Sequence, residues 1–420
     1  MSTRRAVTVV GVGDDGCLGL SSRAMGAVAR AQVLAGGERH LAFFPEFGGR
    51  RVVLDGNLTQ TLGQLAQEAL EDNVCILASG DPLFFGVGGL VARTLGAEHV
   101  EFLPHPSSVQ WAFARVGISW EDARVVSLHG RSLEGLAVRM RQWRKVACFT
   151  DGQNTPQRIA QHLLVYGQHN WQAWVCENLA GPGERVRAFT LAALAQETDV
   201  GPLNVLVLAR TPGGATPWAP PASLAYLPEE AFARKTPKIG LITKREVRAL
   251  SLAQMALHPA AVVWDVGAGS GSVAIEAALM ATEGRVFAIE MDAEGAAMCR
   301  ENARTHGADN VQVIEGRAPE ALAGLEAPHA VFVGGTRGDM PSILSRCLEA
   351  LLPGGQLVIN AVTLENLAQA HQALRDLGYA PEMTLVQISR GSILKGQDTQ
   401  YTRYEALNPI HMLHITKPEG

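Results

Sequence analysis

The 420-residue sequence has few of the features of a secreted, membrane-embedded or nucleic-acid-coating protein. Its cysteines lie far apart and form no C-x-x-C pair, which predicts reduced thiols in a cytoplasmic protein. No apolar run approaches the ~18 residues of a membrane span. The formal net charge of −5 argues against a surface that binds nucleic acid. In the segment MSTRRAVTVVGVGDDG, glycine and aspartate interrupt the apolar run, which predicts a first strand and not a signal peptide.

Length and patterning predict more than one α/β domain, since 420 residues exceed what one core usually serves. In residues 1–210, strand-like apolar runs alternate with helical patterns, which predicts a mostly parallel sheet. The segment TPGGATPWAPPAS is rich in proline and glycine, and we expect a linker over residues 211–236. A second α/β series follows over residues 237–420. Its last strand, NPIHMLHITK, should pair antiparallel with the strand before it after a short connection.

A glycine-rich turn in the second half is the strongest indication of a ligand site. The strand AVVWDVG runs into Gly267, Gly269 and Gly271, and the helical segment SVAIEAALMA follows at once. Glycines let a ligand approach the backbone, and free N–H groups at a helix start favour an anionic group. The next strand ends at Glu290, which could accept hydrogen bonds from ribose hydroxyls. A dinucleotide and S-adenosylmethionine both fit, and the spacing G-x-G-x-G favours the second.

Together with the turn Leu351-Leu352-Pro353-Gly354-Gly355, this pattern resembles the class I S-adenosylmethionine-dependent methyltransferases. The segments ITKREVRAL, AVFVGG and NAVTLE resemble, more narrowly, the precorrin methyltransferases that act at carbon 15 and decarboxylate their substrate. The resemblance implies that the three glycines surround the methionine moiety of S-adenosylmethionine and that Glu290 holds the ribose. It further implies that Gly316, Arg317 and Ala318 border the adenine, and that Thr243 lies near the cofactor.

Several polar residues of this half have two interpretations. Thr243-Lys244-Arg245-Glu246 has the pattern of a capping box that starts a helix. Lys244, Arg245 and Arg248 form either a solvated helix face or a clamp for substrate carboxylates. Further candidates for a substrate contact, each with a purely local alternative, are Gly334, Gly335, Asn360 and Thr363.

The first half carries its own set of turns. The first strand ends in Gly11-Val12-Gly13, which alone is a weak indication. Ser79-Gly80-Asp81-Pro82 is more specific, because a Gly-Asp-Pro turn after a strand is uncommon. These turns resemble those of the tetrapyrrole methylases (class III methyltransferases), and specifically the carbon-5 precorrin enzymes. The other segments that carry the resemblance are Pro106-Ser107-Ser108, Thr150-Asp151-Gly152, Glu177-Asn178-Leu179 and Gly201-Pro202-Leu203-Asn204.

That resemblance implies a fold of two lobes with S-adenosylmethionine in the cleft between them. Gly80 and Asp81 would meet its amino acid end and Leu203 its adenine, and the other cofactor residues would be Gly11, Ser107, Ser108 and Thr150. The family commonly has Pro-Gly where this chain has Asp14-Asp15. Aspartate can form an Asx turn, but two carboxylates facing the macrocycle would repel its acid groups. His129 is either a proton acceptor or a structural residue at a strand end.

The predicted architecture is therefore α/β, with a two-lobed class III fold followed by a class I Rossmann-like domain. The two resemblances imply one S-adenosylmethionine per domain and a precorrin tetrapyrrole as substrate, without a metal, nucleic-acid or membrane partner. Related class I domains multimerise, so we expect a homo-oligomer. Three other functions remain open: methylation of RNA, a nicotinamide oxidoreductase, and a first half that only hands substrate to the second.

Overall fold

The computed structural model describes residues 7–211, 226–233, 242–336, 338–395 and 400–419, and these residues form two compact units. Unit 1 comprises residues 7–132, 143–161 and 170–211. Unit 2 comprises residues 133–142 and 162–169 together with the described residues from 226 onward. Most of the expected linker, 211–236, lies outside the described residues, so its boundaries stay a prediction.

Unit 1 begins with a parallel sheet, as the alternation of strands and helices predicts. Its strands are β1 (Val7–Val12), β2 (Val33–Gly36), β3 (Arg50–Val53), β4 (Val74–Ser79) and β5 (Val100–Leu103), in the order β3-β2-β4-β1-β5. The intervening helices are α1 (Ser22–Arg30), α2 (Glu38–Ala42), α3 (Leu58–Glu68) and α4 (Gly88–Leu95), and α5 (Ser108–Val116) follows β5. The central strands β1 and β4 are rich in β-branched and aliphatic residues and are buried on both faces, as parallel strands usually are.

A second sheet in unit 1 differs from the prediction. Its strands are β6 (Arg124–Ser127), β7 (Lys145–Phe149), β8 (Trp171–Glu177), β9 (Arg185–Thr190) and β10 (Asn204–Arg210), in the order β6-β7-β10-β8-β9. Only β6 and β7 pair parallel, so the expectation of a mostly parallel sheet is wrong here. Apolar runs do not encode strand direction, and the short segment between β8 and β9 allows a hairpin. Helix α8 (Leu191–Leu194) belongs to unit 1, α6 (Leu136–Met140) lies within the residues of unit 2, and α7 (Pro156–Val165) is divided between the two at residue 161.

Unit 2 is built on a sheet whose central strands are parallel and fully buried. Helix α9 (Arg245–Gln254) precedes the sheet. Strands β11 (Val262–Val266), β12 (Arg285–Glu290), β13 (Val311–Glu315), β14 (Ala330–Val333) and β15 (Gln356–Ala361) alternate with α10 (Ser272–Met280), α11 (Ala293–Thr305) and α12 (Met340–Ala350), and α13 (Leu364–Asp376) follows. Helix α10 is apolar on nearly all sides and buried over most of its length. Apolar layers cover both faces of the sheet.

The chain then adds β16 (Glu382–Val386), β17 (Ser389–Lys395), β18 (Gln400–Ala406) and β19 (Ile410–Thr416). The sheet order is β13-β12-β11-β14-β15-β19-β16, and β19 is antiparallel to both of its neighbours. The antiparallel last strand confirms the prediction. The expected short connection before it is wrong, because β17 and β18 form a separate hairpin between β16 and β19.

Candidate functional site

The glycine turn of unit 2 lies at the carboxyl end of β11, where ligands bind in open parallel sheets. Gly267 has φ 76°, and a Cβ there would overlap the carbonyl oxygen of Gly335. Gly271 has φ 80° and precedes α10, and a Cβ there would overlap the Sγ atom of Cys299. Gly269 differs: its φ is 56°, but the space around its missing Cβ is open. Two glycines are therefore required by packing, and Gly269 leaves room for a ligand.

Glu290, at the end of β12, is joined to this turn by hydrogen bonds. Its Oε2 accepts from the N–H of Gly269 at 2.7 Å, and its Oε1 accepts from the N–H of Asp292 at 2.8 Å. Both carboxylate oxygens keep further lone pairs for a ribose diol. A cavity of about 150 Å³ lies beside Glu290. The cavity brings together the following predicted residues: Gly267, Glu290, Gly316, Arg317, Ala318 and Gly335.

These observations test whether S-adenosylmethionine fits unit 2. The open space at Gly269, the fixed Glu290 carboxylate and the cavity between the ends of β11 and β12 suit an adenosyl group bound along the backbone. Gly269, Gly271, Gly334 and Thr243 are not among the described residues that line the cavity. Gly334 donates its N–H to Val266 O at 3.0 Å, which agrees with a local turn.

Sequence reasoning missed Asp265, a buried carboxyl group in β11 just before this turn. It is 1% exposed, and its Oδ2 accepts from the N–H of Ala274 at 2.8 Å. Burial raises the pKa of Asp265 to about 7, against the opposing effect of the Ala274 hydrogen bond, and the negative charge of Glu290 raises it further. An acidic residue two positions before a glycine turn was the available signal. The contact with α10 fixes the helix start relative to β11.

The clamp proposed for Arg248 is wrong. Its side chain is fully buried and its guanidinium pairs with Glu276, also fully buried, with Nη2 and Oε1 2.8 Å apart. Arg248 also donates to the carbonyls of Thr243, at 2.8 Å, and Leu227. An arginine with these partners stabilises α9 against α10 and does not reach a ligand.

The capping box over Thr243–Glu246 is also wrong. Helix α9 begins at Arg245, its N-cap is Lys244, and no side chain caps it. Glu246 instead binds Arg390 and Arg245. Lys244 stays partly exposed beside the helix start, so its contact with substrate carboxylates remains a proposal.

The remaining candidates of unit 2 have local partners. Thr363 caps α13 by accepting from the N–H of Asn366 at 3.2 Å. Asn360 donates to the hydroxyl of Ser251 at 2.9 Å, and its buried Oδ1 has no hydrogen-bond partner among the described residues. Local backbone satisfaction therefore explains Thr363, whereas the amide of Asn360 keeps one unused acceptor.

Unit 1 contains a cleft of about 770 Å³. The predicted residues that line it are Gly80, Asp81, Ser107, Ser108, His129, Thr150 and Leu203. Gly11 is not among the described residues that line it. A Cβ at Gly11 would overlap the carbonyl oxygen of Gly80, so this glycine allows close packing of the first turn. Gly80 itself has φ 58° and donates its N–H to Val12 O at 2.9 Å. The cleft thus gathers turns that are far apart in the sequence.

Several lining side chains already have structural partners. Ser107 forms a capping box with Gln110 at the start of α5. Thr150 donates its hydroxyl to Asn204 Oδ1 at 2.8 Å. Leu203 is 42% exposed, which leaves an apolar contact free for a ligand. His129 is exposed, and its imidazole is near enough to Asp151 to contribute to the lowered pKa of that carboxyl group.

The two aspartates of the first turn are paired. Asp14 Oδ1 lies 3.3 Å from the guanidinium Nη1 of Arg39, and Asp15 Oδ2 lies 3.4 Å from Nε2 of the buried His105. The expected repulsion of substrate acids by two free carboxylates is therefore reduced. Phe85 has φ 56° and packs against Phe149 at 5.4 Å between ring centroids, and it leaves half of its side chain exposed in the cleft.

The fold and the two sites define a protein with two methyltransferase domains. The profile of the family described as "Tetrapyrrole (Corrin/Porphyrin) Methylases" matches residues 6–195, and that of "Precorrin methyltransferase domain" matches residues 236–417. A Sinorhizobium protein named precorrin-6Y C(5,15)-methyltransferase [decarboxylating] is 36% identical, over 86% of this chain and 85% of its own. The chain belongs to the family of these decarboxylating precorrin-6Y methyltransferases.

Two further relatives each match one half. A Salmonella typhimurium protein named cobalt-precorrin-7 C(5)-methyltransferase is 37% identical over 48% of this chain and 98% of its own. A Pyrobaculum calidifontis protein named probable cobalt-precorrin-6B C(15)-methyltransferase (decarboxylating) is 39% identical over 47% of this chain and 96% of its own. Methyltransferases of this family use S-adenosylmethionine as methyl donor.

Proposed function

We propose that this chain methylates a precorrin at carbons 5 and 15 and removes carbon dioxide from the acetate arm of ring C. Unit 2 would perform the carbon-15 methylation and the decarboxylation, and unit 1 the carbon-5 methylation, in aerobic cobalamin biosynthesis. The observation that carries the proposal is that one chain has two glycine-bordered sites, one at Glu290 and one at the Gly80 turn. The division of labour is supported by the single-domain relatives, whose names assign each reaction to one half.

Bound S-adenosylmethionine supplies an electrophilic methyl group, so the protein needs mainly to position the carbon nucleophile of the macrocycle. Alignment of two reactants can lower a barrier by roughly 7–11 kcal/mol. In unit 2, Glu290 and the Gly269 backbone would hold the ribose and the methionine moiety, while Arg317 and Ala318 would border the adenine. In unit 1, Gly80 and Asp81 would lie near the amino acid end, and Leu203 near the adenine.

Decarboxylation needs a place for the electron pair of the broken carbon–carbon bond. The conjugated macrocycle accepts that pair when carbon dioxide leaves, so no metal or acid–base triad is required of the protein. A poorly hydrated setting for the departing carboxylate would favour the step. Lys244, Gly334, Gly335 and Asn360 are the candidates in unit 2 that remain for contact with the substrate.

The test uses a matched pair of substitutions in the full chain. Gly269→Ala adds a methyl group to the open space beside Glu290, and Gly324→Ala adds one at φ 75°, also into open space, elsewhere in unit 2. Both carry a similar backbone cost, about 1–2 kcal/mol. We expect Gly269→Ala alone to remove carbon-15 methylation and carbon dioxide release, as measured by mass spectrometry of the products.

Calorimetry with S-adenosylhomocysteine should report two binding events for the unsubstituted chain and one for Gly269→Ala. A single event in the unsubstituted chain would contradict one donor site per domain. The same titration with NADH tests the alternative of a nicotinamide oxidoreductase, and a methylation assay on RNA tests the alternative of an RNA methyltransferase. If the full chain adds only the carbon-15 methyl group, that result supports the alternative in which unit 1 only hands substrate to unit 2.

We also propose that the protein self-associates and is cytoplasmic. Self-association is supported by the β17–β18 hairpin, which exposes Ile393, Tyr401 and Tyr404, and by the edge strand β16, which exposes Met383 and Leu385. The cytoplasmic location is supported by the free thiol state of each cysteine. Within the described residues, no helix has the length and apolarity for crossing a membrane. Light scattering of the full chain tests the oligomer.

A further inference from the structure

The cleft of unit 1 has an unusual charge balance for a site that takes a polyacidic ligand. Among the described residues that line it, the carboxylates are Asp14, Asp81 and Asp151, and the one arginine or lysine is Arg39. A tetrapyrrole with acetate and propionate arms therefore meets three acidic side chains and a single permanent cation. How these groups are paired decides which of them is available to a ligand.

Two of the carboxylates are occupied by backbone donors. Asp81 Oδ1 accepts from the N–H of Leu83 at 2.9 Å. Asp151 accepts from Asn154, Gly130 and Gln153 at 2.6, 2.6 and 2.8 Å, and these hydrogen bonds hold the pKa of Asp151 below its ordinary value. Both aspartates therefore shape turns, and neither competes for Arg39.

Asp14 is the only one of the three that pairs with the guanidinium. The pair has one contact, Arg39 Nη1 to Asp14 Oδ1 at 3.3 Å, and the arginine side chain is 44% exposed. A single long contact between exposed groups is weak, whereas a guanidinium that grips a carboxylate in a two-pronged geometry binds strongly. Arg39 has donors left over, so it can leave Asp14 for a better-placed carboxylate at little cost.

His40 and Ser79 are positioned to orient this arginine. His40 Nε2 lies 3.0 Å from Ser79 Oγ and 3.5 Å from Arg39 Nη2, and all three residues line the cleft. Burial lowers the pKa of His40 to about 4, with the Arg39 charge contributing and Asp14 opposing. The imidazole is therefore neutral at neutral pH, so it lies beside the guanidinium without a competing positive charge.

We infer that Arg39 binds one carboxylate arm of the tetrapyrrole in the unit 1 cleft, and that Asp14 holds the guanidinium in place when that arm is absent. His40 and Ser79 act as positioning residues for this contact. The inference rests on the proposed function and deepens it, because it names the side chain that recognises the acid groups of the substrate.

The test compares Arg39→Gln with Asp14→Asn in the full chain. Loss of one charge-assisted pair should raise the KM for carbon-5 methylation about tenfold in Arg39→Gln, with a smaller effect on kcat. Asp14→Asn removes the competing carboxylate and should lower that KM by about two- to threefold. The control is Arg23→Gln, an exposed arginine of the same unit that pairs with Glu101 outside the cleft, and it should leave the KM unchanged.

Two binding measurements separate this inference from the proposed function. Affinity for S-adenosylhomocysteine should be the same in Arg39→Gln and the unsubstituted chain. Affinity for uroporphyrin I, a planar tetrapyrrole with carboxylate arms, should fall, while that for a porphyrin with cationic arms should not.

If the unsubstituted chain performs the carbon-5 methylation and Arg39→Gln leaves its KM unchanged, the inference is overturned and the proposed function stays intact. Weaker binding of S-adenosylhomocysteine by Arg39→Gln overturns it too, because Arg39 would then serve the cofactor. An Asp14→Asn variant that loses activity as Arg39→Gln does would overturn the role given to Asp14. If the unsubstituted chain does not methylate carbon 5, the proposed function of unit 1 fails and the inference fails with it.

Discussion

The buried pair of Arg248 and Glu276 gives the most direct test of the structural reasoning, because the sequence suggested a substrate clamp there. Both side chains are fully buried, 2.8 Å apart, and the guanidinium also lies over the ring of Phe232. Arg248→Met would leave the Glu276 charge buried without its partner. Breaking such a pair costs about 3–5 kcal/mol, whereas replacing both partners by apolar residues is often neutral. We therefore expect a large loss of stability in Arg248→Met and recovery of most of it in Arg248→Met with Glu276→Leu.

Urea unfolding measures the loss, and hydrogen exchange of peptides covering α9 and α10 assigns it to unit 2. The matched control is Arg346→Met, since Arg346 pairs with Glu349 on the surface of α12 and its loss should change the free energy of unfolding by no more than about 0.5 kcal/mol. If Arg248→Met loses less than about 1 kcal/mol while the KM for the precorrin rises sharply, Arg248 is a substrate ligand and the reasoning is refuted.

Two further predictions concern the glycine turn of unit 2. Asp265 has a pKa near 7 in the folded chain and an ordinary acidic pKa when unfolded, so stability should fall as the pH rises from about 4 to about 7. Asp265→Asn should remove that part of the pH dependence in urea unfolding, and an unchanged slope would contradict the burial argument. Gly271→Ala should cost about 2–5 kcal/mol, because φ is 80° and the new methyl group would overlap Cys299. Gly271→Ala with Cys299→Ala should regain part of the loss, and equal stability of the two variants would show that the sulfur is not the obstacle.

Much of the architecture could be read from local patterns. The strand into Gly267, Gly269 and Gly271, the following apolar helix and Glu290 are contiguous or nearly so, and the structure has the turn at the carboxyl end of β11 as expected. Such motifs are predictable because glycine conformation and strand burial depend on a few neighbouring residues. Strand direction in the second sheet of unit 1 and the extra hairpin β17–β18 were not predictable in this way, since apolar alternation is the same for parallel and antiparallel pairing.

Charged residues were the hardest to interpret from the sequence. Arg248 in the pattern KREVR looks like part of a solvated or substrate-binding face, yet its partner Glu276 is 28 positions away on another helix. Asp14 and Asp15 look like two free carboxylates, yet Arg39 and His105 lie beside them. The sequence shows which charges are present and not which charges meet.

The amino-acid sequence by itself determined the α/β class of both halves, the glycine turns and the family to which the chain belongs, because these depend on residue type and spacing along the chain. Only the tertiary structure decided which polar side chains are occupied and which remain free for a ligand. The physical reason is that the strength of a charge or hydrogen bond depends on distance and burial, and residues far apart in sequence set both.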